Sequence, residues 1–463
     1  MKTRGISRRT FVFCGALAAG SLLTRRATAR AVSPNEKLNM AHIGVGGKGR
    51  GHLKFGLTYE NVVAVCDLDD KASAEGYGWC PDVPKYRDWR VMFDKQKDID
   101  AVVITTPDHT HAIIALAAME LGKHVYVEKP MAHTVHEARR LTEAARRFGV
   151  ATQMGNQGHS SDGVRQVCEM IWSGAIGEIR EVHCWSDRPL WPVGFSEPLP
   201  EKPVPPGVDW DLWLGPVPAR PFGGYYDEYV RDGSAVGYMP DAWRGWWAFG
   251  SGSLGDMGCH IMDPPNWALN LGAPSAVTCV RQEGNTSETG PAKSVIEWEF
   301  PEREADGKKF APVKLTWYDG KIRPPKPVIL PEDDPTPVGG EGTIFVGEKG
   351  VLTCDSHGNS AKLRPDSLMA DYTMPAPSLE RLPWKDNRYD EAHRANWVQA
   401  CKGGKPAVSN FDYAGPFTET VQLGNIAVRV GGRIEWDSAA CRITNNPEAD
   451  GLLRAAYRKG WEF

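Results

Sequence analysis

Leu38-Asn39-Met40-Ala41-His42-Ile43-Gly44-Val45-Gly46-Gly47-Lys48-Gly49-Arg50 is an apolar run that ends in a glycine-rich turn. The run reads as a strand over Leu38 to Val45, and Lys48 to Leu57 reads as a helix. Gly44, Gly46 and Gly49 fit G-x-G-x-x-G, with Gly47 a further glycine of the turn. Such glycines permit a tight turn and let the backbone approach a pyrophosphate at the helix N-terminus. A second strand, Val62 to Asp67, ends on an acid 18 residues beyond Gly49. That acid would accept from adenosine ribose hydroxyls and repel a 2′-phosphate, so NAD is the expected cofactor. Arg50, next to the turn, keeps NADP as the alternative. An ordinary tight turn with a solvated Asp67 competes with this reading, and the strand–turn–helix–strand order argues against it.

Moving outward, strands and helices keep alternating. Ala101 to Thr105 reads as a strand, His109 to Leu121 as a helix, and His124 to Val127 as a strand. Thr134 to Phe148 follows as a helix and Val150 to Met154 as a closing strand. Alternation with short turns predicts an α/β, doubly wound parallel sheet over residues 38–156. From 157 to 463 the pattern changes. A helix over Gly163 to Ser173 and a strand over Ile179 to Trp185 lead into a long Trp- and Pro-rich stretch. Strand-like segments then recur at Ala276–Gln282, Val295–Phe300, Val313–Tyr318, Gly342–Val346 and Gly350–Cys354, with helices at Glu391–Cys401 and Pro416–Val430. These predict an α+β C-terminal domain with a large, mostly antiparallel open sheet.

Residues 1–29 read differently. Ser7-Arg8-Arg9-Thr10-Phe11, an apolar run to Leu23 and Ala27-Thr28-Ala29 form the parts of a twin-arginine export signal. The run is shorter than the roughly 20 residues a membrane span requires, so cleavage is expected, then a linker over 30–37. The expectation is export in folded form through the twin-arginine machinery to a periplasmic or extracellular location. The formal net charge of the 463 residues is −4. Residues 1–29 carry Lys2, Arg4, Arg8, Arg9, Arg25 and Arg26 without an acid, so the remainder is near −10. That excludes a nucleic-acid footprint, and no later segment is apolar enough to span a membrane. Besides Cys14, nine cysteines are scattered without C-x-x-C or metal-like spacing, so no metal is expected.

Three further motifs carry chemistry. Thr106-Pro107-Asp108-His109-Thr110-His111 follows the third strand and faces the ligand rim of such a sheet; its H-x-H reads as structural or cofactor-lining. Glu128-Lys129-Pro130 ends the next strand at the same rim, where a lysine can donate to a substrate hydroxyl. In Asp256-Met257-Gly258-Cys259-His260 a helix would place the acid and the imidazole on one face. A carboxylate partner would orient His260 and raise its proton affinity, as suits a general base. Gly250, Gly252 and Gly255 suggest that something approaches this backbone closely. Among the aromatic residues of the Trp-rich stretch, Trp243, Trp246 and Tyr238 are candidates for a sugar-binding surface.

In this order the motifs resemble those of the glucose–fructose oxidoreductase, inositol dehydrogenase and rhizopine-catabolism (Gfo/Idh/MocA) family. The resemblance implies that Lys129, Asp256 and His260 form the catalytic group. It implies a cofactor site of Gly44, Gly46, Gly47, Gly49, Arg50, Asp67, Thr106, Pro107, His111, Glu128, Lys129 and Gln157, the last in a segment joining the domains. It further implies hydride transfer at a carbinol carbon of a carbohydrate-like substrate, and a homodimer or homotetramer built through the open sheet. Export adds a constraint, since no free nicotinamide pool is expected outside the cytoplasm. A tightly held cofactor follows, and with it the alternative of a glycoside hydrolase or epimerase working by transient oxidation. Asp256 keeps the oxidoreductase pattern. A non-catalytic carbohydrate-binding protein on the same fold is the third alternative, favoured only if aromatic loops fill the pocket.

Overall fold

The computed structural model describes residues 33–225, 237–305, 307–337, 339–383 and 388–462. The segment read as an export signal lies outside the described residues, as do Tyr226 and Tyr229 of the aromatic stretch.

Six strands, β1 (Asn39–Ile43), β2 (Asn61–Cys66), β3 (Lys85–Tyr86), β4 (Ala101–Ile104), β5 (His124–Glu128) and β6 (Thr152–Gly155), form one sheet in the order β3-β2-β1-β4-β5-β6. Every pairing in it is parallel. The order reverses between β1 and β4, and a ligand crevice opens there beyond the carboxyl ends of the strands. Helices α1 (Gly49–Tyr59), α2 (Asp70–Trp79), α3 (Trp89–Lys95), α4 (Asp108–Glu120) and α5 (Val135–Phe148) connect the strands. β4 and β5 are buried at every position, because helices cover both faces. α5 is bounded locally: Thr134 and Glu137 form a capping box, and Gly149 closes the helix in the left-handed region.

The second sheet has nine strands. After α6 (Asp162–Trp172) come β7 (Ile179–Trp185), β8 (Ala276–Glu283), β9 (Lys293–Phe300) and a separate hairpin of β10 (Arg303–Ala305) and β11 (Lys308–Phe310). β12 (Val313–Tyr318), β13 (Gly342–Gly347), β14 (Val351–Cys354), β15 (Lys362–Arg364), β16 (Arg433–Asp437) and β17 (Arg442–Ile443) complete the set. The order is β15-β14-β13-β7-β12-β9-β8-β16-β17, antiparallel except for the parallel pair of β7 and β12. β9 alternates buried and more exposed positions along its length, as a sheet with one covered face requires.

Two late helices join the sheets. Phe411–Val430 takes the Trp298 indole N–H on the Thr420 carbonyl (3.0 Å) and pairs Glu419 with Arg139 of α5 (3.0 Å). It starts five residues before Pro416, capped by the Asn410 side chain, so the proline lies inside the helix. Tyr389–Cys401 returns to the first sheet and packs Trp397 and Val398 with Leu38, Met40, Phe55 and Tyr126. The nine described cysteines are free thiols, and all but Cys441 are buried. No described helix is long and apolar enough to cross a membrane.

Candidate active site

One cleft of about 980 Å³ runs along the carboxyl ends of the first sheet, from the glycine turn to the interface with the second domain. Gly44 has φ +81°, and a Cβ there would come within 2.8 Å of the Thr105 carbonyl. Gly49 is tighter still, pressed against the Gly44 carbonyl, which is the close packing that the third glycine of the motif provides. Gly46, Gly47 and Arg50 line the cleft, and a Cβ on Gly47 would meet only open space. Asp67 follows β2 and lines the same end; its carboxylate accepts from the backbone N–H of Val45 (2.9 Å) and of Asp69 (3.0 Å). Arg50 is paired with Glu75, which offsets the charge that a 2′-phosphate would need. The glycine cradle, its helix and the acid at the end of β2 fit a dinucleotide.

The next two turns meet over His111. Its Nδ1 lies 2.8 Å from the Pro130 carbonyl and its Nε2 lies 2.7 Å from that of Thr106, so the ring fastens the two rim turns together. His109 is likewise held between the carbonyls of Phe249 (3.2 Å) and Trp213 (2.9 Å). Carbonyls face the nitrogens of both rings, and a neutral imidazole donates to one of the two. Thr106 and Pro107 line the cleft beside them. Glu128 turns inward, and its Oε1 faces His52 Nε2 (2.8 Å) and accepts from Gln157 Nε2 (2.7 Å). Burial would raise the Glu128 carboxyl, but His52, Lys48 and Lys129 together hold it well below the usual range.

Lys129 points into the cleft and donates to the Asp256 carbonyl (2.6 Å) and to Asp256 Oδ1 (2.9 Å). Asp256 also accepts from Arg188 Nε (3.0 Å) and Arg244 Nε (3.3 Å). Burial opposes ionisation, yet Lys129, Arg244 and Arg188 leave the carboxyl far below its ordinary value. Leu254–Gly258 is a turn of π-helix followed by a short α-turn at Cys259–Ile261; such turns recur at functional sites.

The expected carboxylate–imidazole partnership does not form within this motif. Asp256 is engaged by three cations, while His260 Nδ1 is buried without a hydrogen-bond partner among the described residues. Nε2 is left as the nitrogen that can reach a ligand. Burial, with His357 and Lys129 nearby, puts the proton affinity of His260 well below normal rather than above it. A buried carboxylate–histidine pair occurs instead at Asp263 and His159 (2.9 Å), within the second domain. The close approach expected near Gly250 is made by the chain itself, since a Cβ there would meet Arg244 Cα at 2.6 Å.

Trp243 lines the cleft, but Tyr238 and Trp246 do not. Tyr238 is fully buried, stacked beside Trp210 (5.8 Å, 8°) and edge-on to Trp246 (4.8 Å), and its hydroxyl accepts from the Leu199 N–H (2.9 Å). These two residues are core, because the Trp-rich stretch folds on its own aromatic cluster. Residues that the sequence reading missed are Arg188, Arg244, His357, Tyr389 and Asp390. The His357 and His260 ring centroids are 4.7 Å apart, and Asp390 reaches Lys48 of the glycine turn (3.4 Å). None of them carried a sequence signal: Arg188 and His357 arrive from loops, and Tyr389 and Asp390 from the first turn of the Tyr389–Cys401 helix.

Comparison with known proteins agrees with this architecture. Residues 38–156 match the family model described as "Oxidoreductase family, NAD-binding Rossmann fold", and residues 171–295 match "Oxidoreductase family, C-terminal alpha/beta domain". The matches together cover just over half of the chain. An inositol 2-dehydrogenase of Salmonella typhimurium is 32% identical over 146 residues, 30% of this chain and 43% of that protein. A glycosyl hydrolase family 109 protein of Shewanella pealeana is 29% identical over 203 residues, 38% of this chain and 44% of that protein. The alignments span less than half the length of each of these curated relatives. The WlbA dehydrogenase of Bordetella pertussis, solved with NADH and UDP-GlcNAcA, superposes with a TM-score of 0.59 at 16% identity, covering 88% of this chain and 99% of that one. That likeness speaks for the fold, and the two family models, matched in order along one chain, add the lineage. The chain belongs to the Gfo/Idh/MocA oxidoreductase family.

Proposed function

We propose that this protein is an NAD-dependent oxidoreductase acting at a carbinol carbon of a sugar, cyclitol or glycoside, with its cofactor tightly held. The observation that carries the reading is the continuity of one cleft from the glycine turn to Lys129 and His260. Gly44, Gly46 and Gly47 with the N-terminus of α1 would hold the pyrophosphate, Asp67 would hold the adenosine ribose, and the rim at Thr106 and Glu128 would face the nicotinamide end. When bound, the nicotinamide supplies the two-electron acceptor. Lys129 has two of its three N–H bonds committed to Asp256, which aims the third at a substrate hydroxyl. His260 Nε2, neutral at working pH, takes the hydroxyl proton. Asp256 therefore acts as the positioning residue of Lys129. The test is a single-turnover panel of sugars, cyclitols and glycosides, following the absorbance of the reduced nicotinamide on purified protein. Reduction by members of the panel in wild type, lost in Lys129→Ala that still holds cofactor, is the expected result. A wild-type cofactor that no polyol reduces would contradict it.

A second reading, glycoside hydrolysis or epimerisation through transient oxidation, is favoured by His357. It puts a second imidazole, its proton affinity lowered by burial, beside His260. The open cleft counts against a purely sugar-binding role. Arg8-Arg9 and the short apolar run support export by the twin-arginine route, tested by the N-terminal sequence of the protein from cell fractions. Assembly as a homodimer or homotetramer through the second sheet is part of the same proposal, with light scattering as its check.

A further inference from the structure

We infer that residues 207–225, from the Trp- and Pro-rich stretch, form the outer wall of the dinucleotide's adenosine end and retain the cofactor between turnovers. The inference rests on the nicotinamide reading above. In a doubly wound sheet the adenosine half lies beyond the second and third strands, here at Asp67 and the turns that follow β2 and β3. Residues 207–225 belong to the second domain, yet they bond to those turns. Val208 bridges antiparallel to Asp69. The Gly207 carbonyl accepts from Asp70 N (3.0 Å) and from both terminal nitrogens of Arg87 (3.1 Å each). Asp209 N donates to the Leu68 carbonyl (3.1 Å), and the Tyr225 hydroxyl donates to Asp69 Oδ2 (2.7 Å).

The wall is also fixed from behind. Arg458 donates to the carbonyls of Gly215 (3.0 Å) and Asp211 (2.8 Å), and Trp210 stacks on Trp213 (4.8 Å, 15°). Leu212, Trp213 and Tyr225 of this stretch line the same cleft as Asp67 and Lys71, and Lys71 Nζ lies 5.4 Å from the Tyr225 ring centroid. A dinucleotide under this wall leaves past the β2 end only when the bonds to Leu68, Asp69, Asp70 and Arg87 open together. The arrangement answers the need of an exported enzyme for a cofactor that is not replaced from solution.

The experiment measures release of NADH from loaded protein by the decay of bound-nicotinamide fluorescence after mixing with excess NAD. Wild type is expected to release NADH more slowly than it turns over. Tyr225→Phe, which removes one hydroxyl, and the double variant Arg87→Ala/Tyr225→Phe should release it faster, the double variant by about tenfold or more. Near-UV circular dichroism confirms that the variants keep the wild-type fold, and Tyr225→Phe alone is conservative enough to read if the double variant does not. Wild-type exchange within one turnover, or folded variants releasing at the wild-type rate, would overturn the inference. Failure of every form to bind NADH would instead overturn the parent reading of function, so the two failures are told apart.

Discussion

Lys129 is held by Asp256 rather than by the glutamate that precedes it, and that choice defines the site. Glu128 faces the other way, into a buried contact with His52 and Gln157, so adjacent residues of one motif serve different sides of the rim. Lys129→Ala and His260→Ala should each lower turnover by on the order of 100- to 10,000-fold, the usual contribution of a proton-handling group, with cofactor still bound. Asp256→Ala should do more than slow the reaction. It leaves Lys129, Arg188 and Arg244 facing one another without their shared carboxylate, and breaking such a buried pair costs about 3–5 kcal/mol. A lowered unfolding midpoint together with lost turnover is expected; turnover loss with unchanged stability would contradict the account. The residue types of the site were legible in Lys129, Asp256 and His260. Their partnerships were not. Sequence spacing reports neighbours on one element, whereas Arg188 reaches Asp256 and His357 reaches the cleft from loops far along the chain.

At the scale of elements, the sequence is most readable where a whole strand or helix has one simple environment. β4 and β5 are buried at every position because both faces are covered, and α5 carries its own start and stop signals. Thr134→Ala should therefore destabilise the protein by about 1 kcal/mol through loss of the cap, readable as a shift in denaturant midpoint. The elements missed between β2 and β4 have weak signals for a physical reason: β3 is two residues long, and α2 contains Gly76 and Gly78. The Phe411–Val430 helix reads from the sequence as Pro416–Val430, and in the structure it begins five residues earlier. Packing against α5 and β9 sustains the helix despite the proline. Tertiary contact overrides the local preference there.

At the scale of the molecule, several buried histidines couple stability to pH. His42, His109 and His393 are lowered to about 3 and His52 to about 4, with burial the largest cause. In the unfolded chain they titrate near 6.5. Between those limits the unfolded chain binds more protons, so stability rises with pH: it is fully present above about 6.5 and is lost as the pH falls toward 3. Asp319, raised to about 6 by burial, opposes this below its own value and offsets part of the loss. Moving from about pH 7 to about pH 5.5 should cost roughly 1 kcal/mol per histidine, seen as a lower urea midpoint; equal stability at both would contradict the burial argument. Two domains share their last helices around one cleft, and a cofactor carried within the fold would sit there. The most direct test is to purify the protein without added nucleotide, denature it and identify what is released. NAD(H) in amounts equimolar with the chain is the expected result; protein that releases no nicotinamide nucleotide, and takes up none when NADH is added before denaturation, would contradict a cofactor held within the fold.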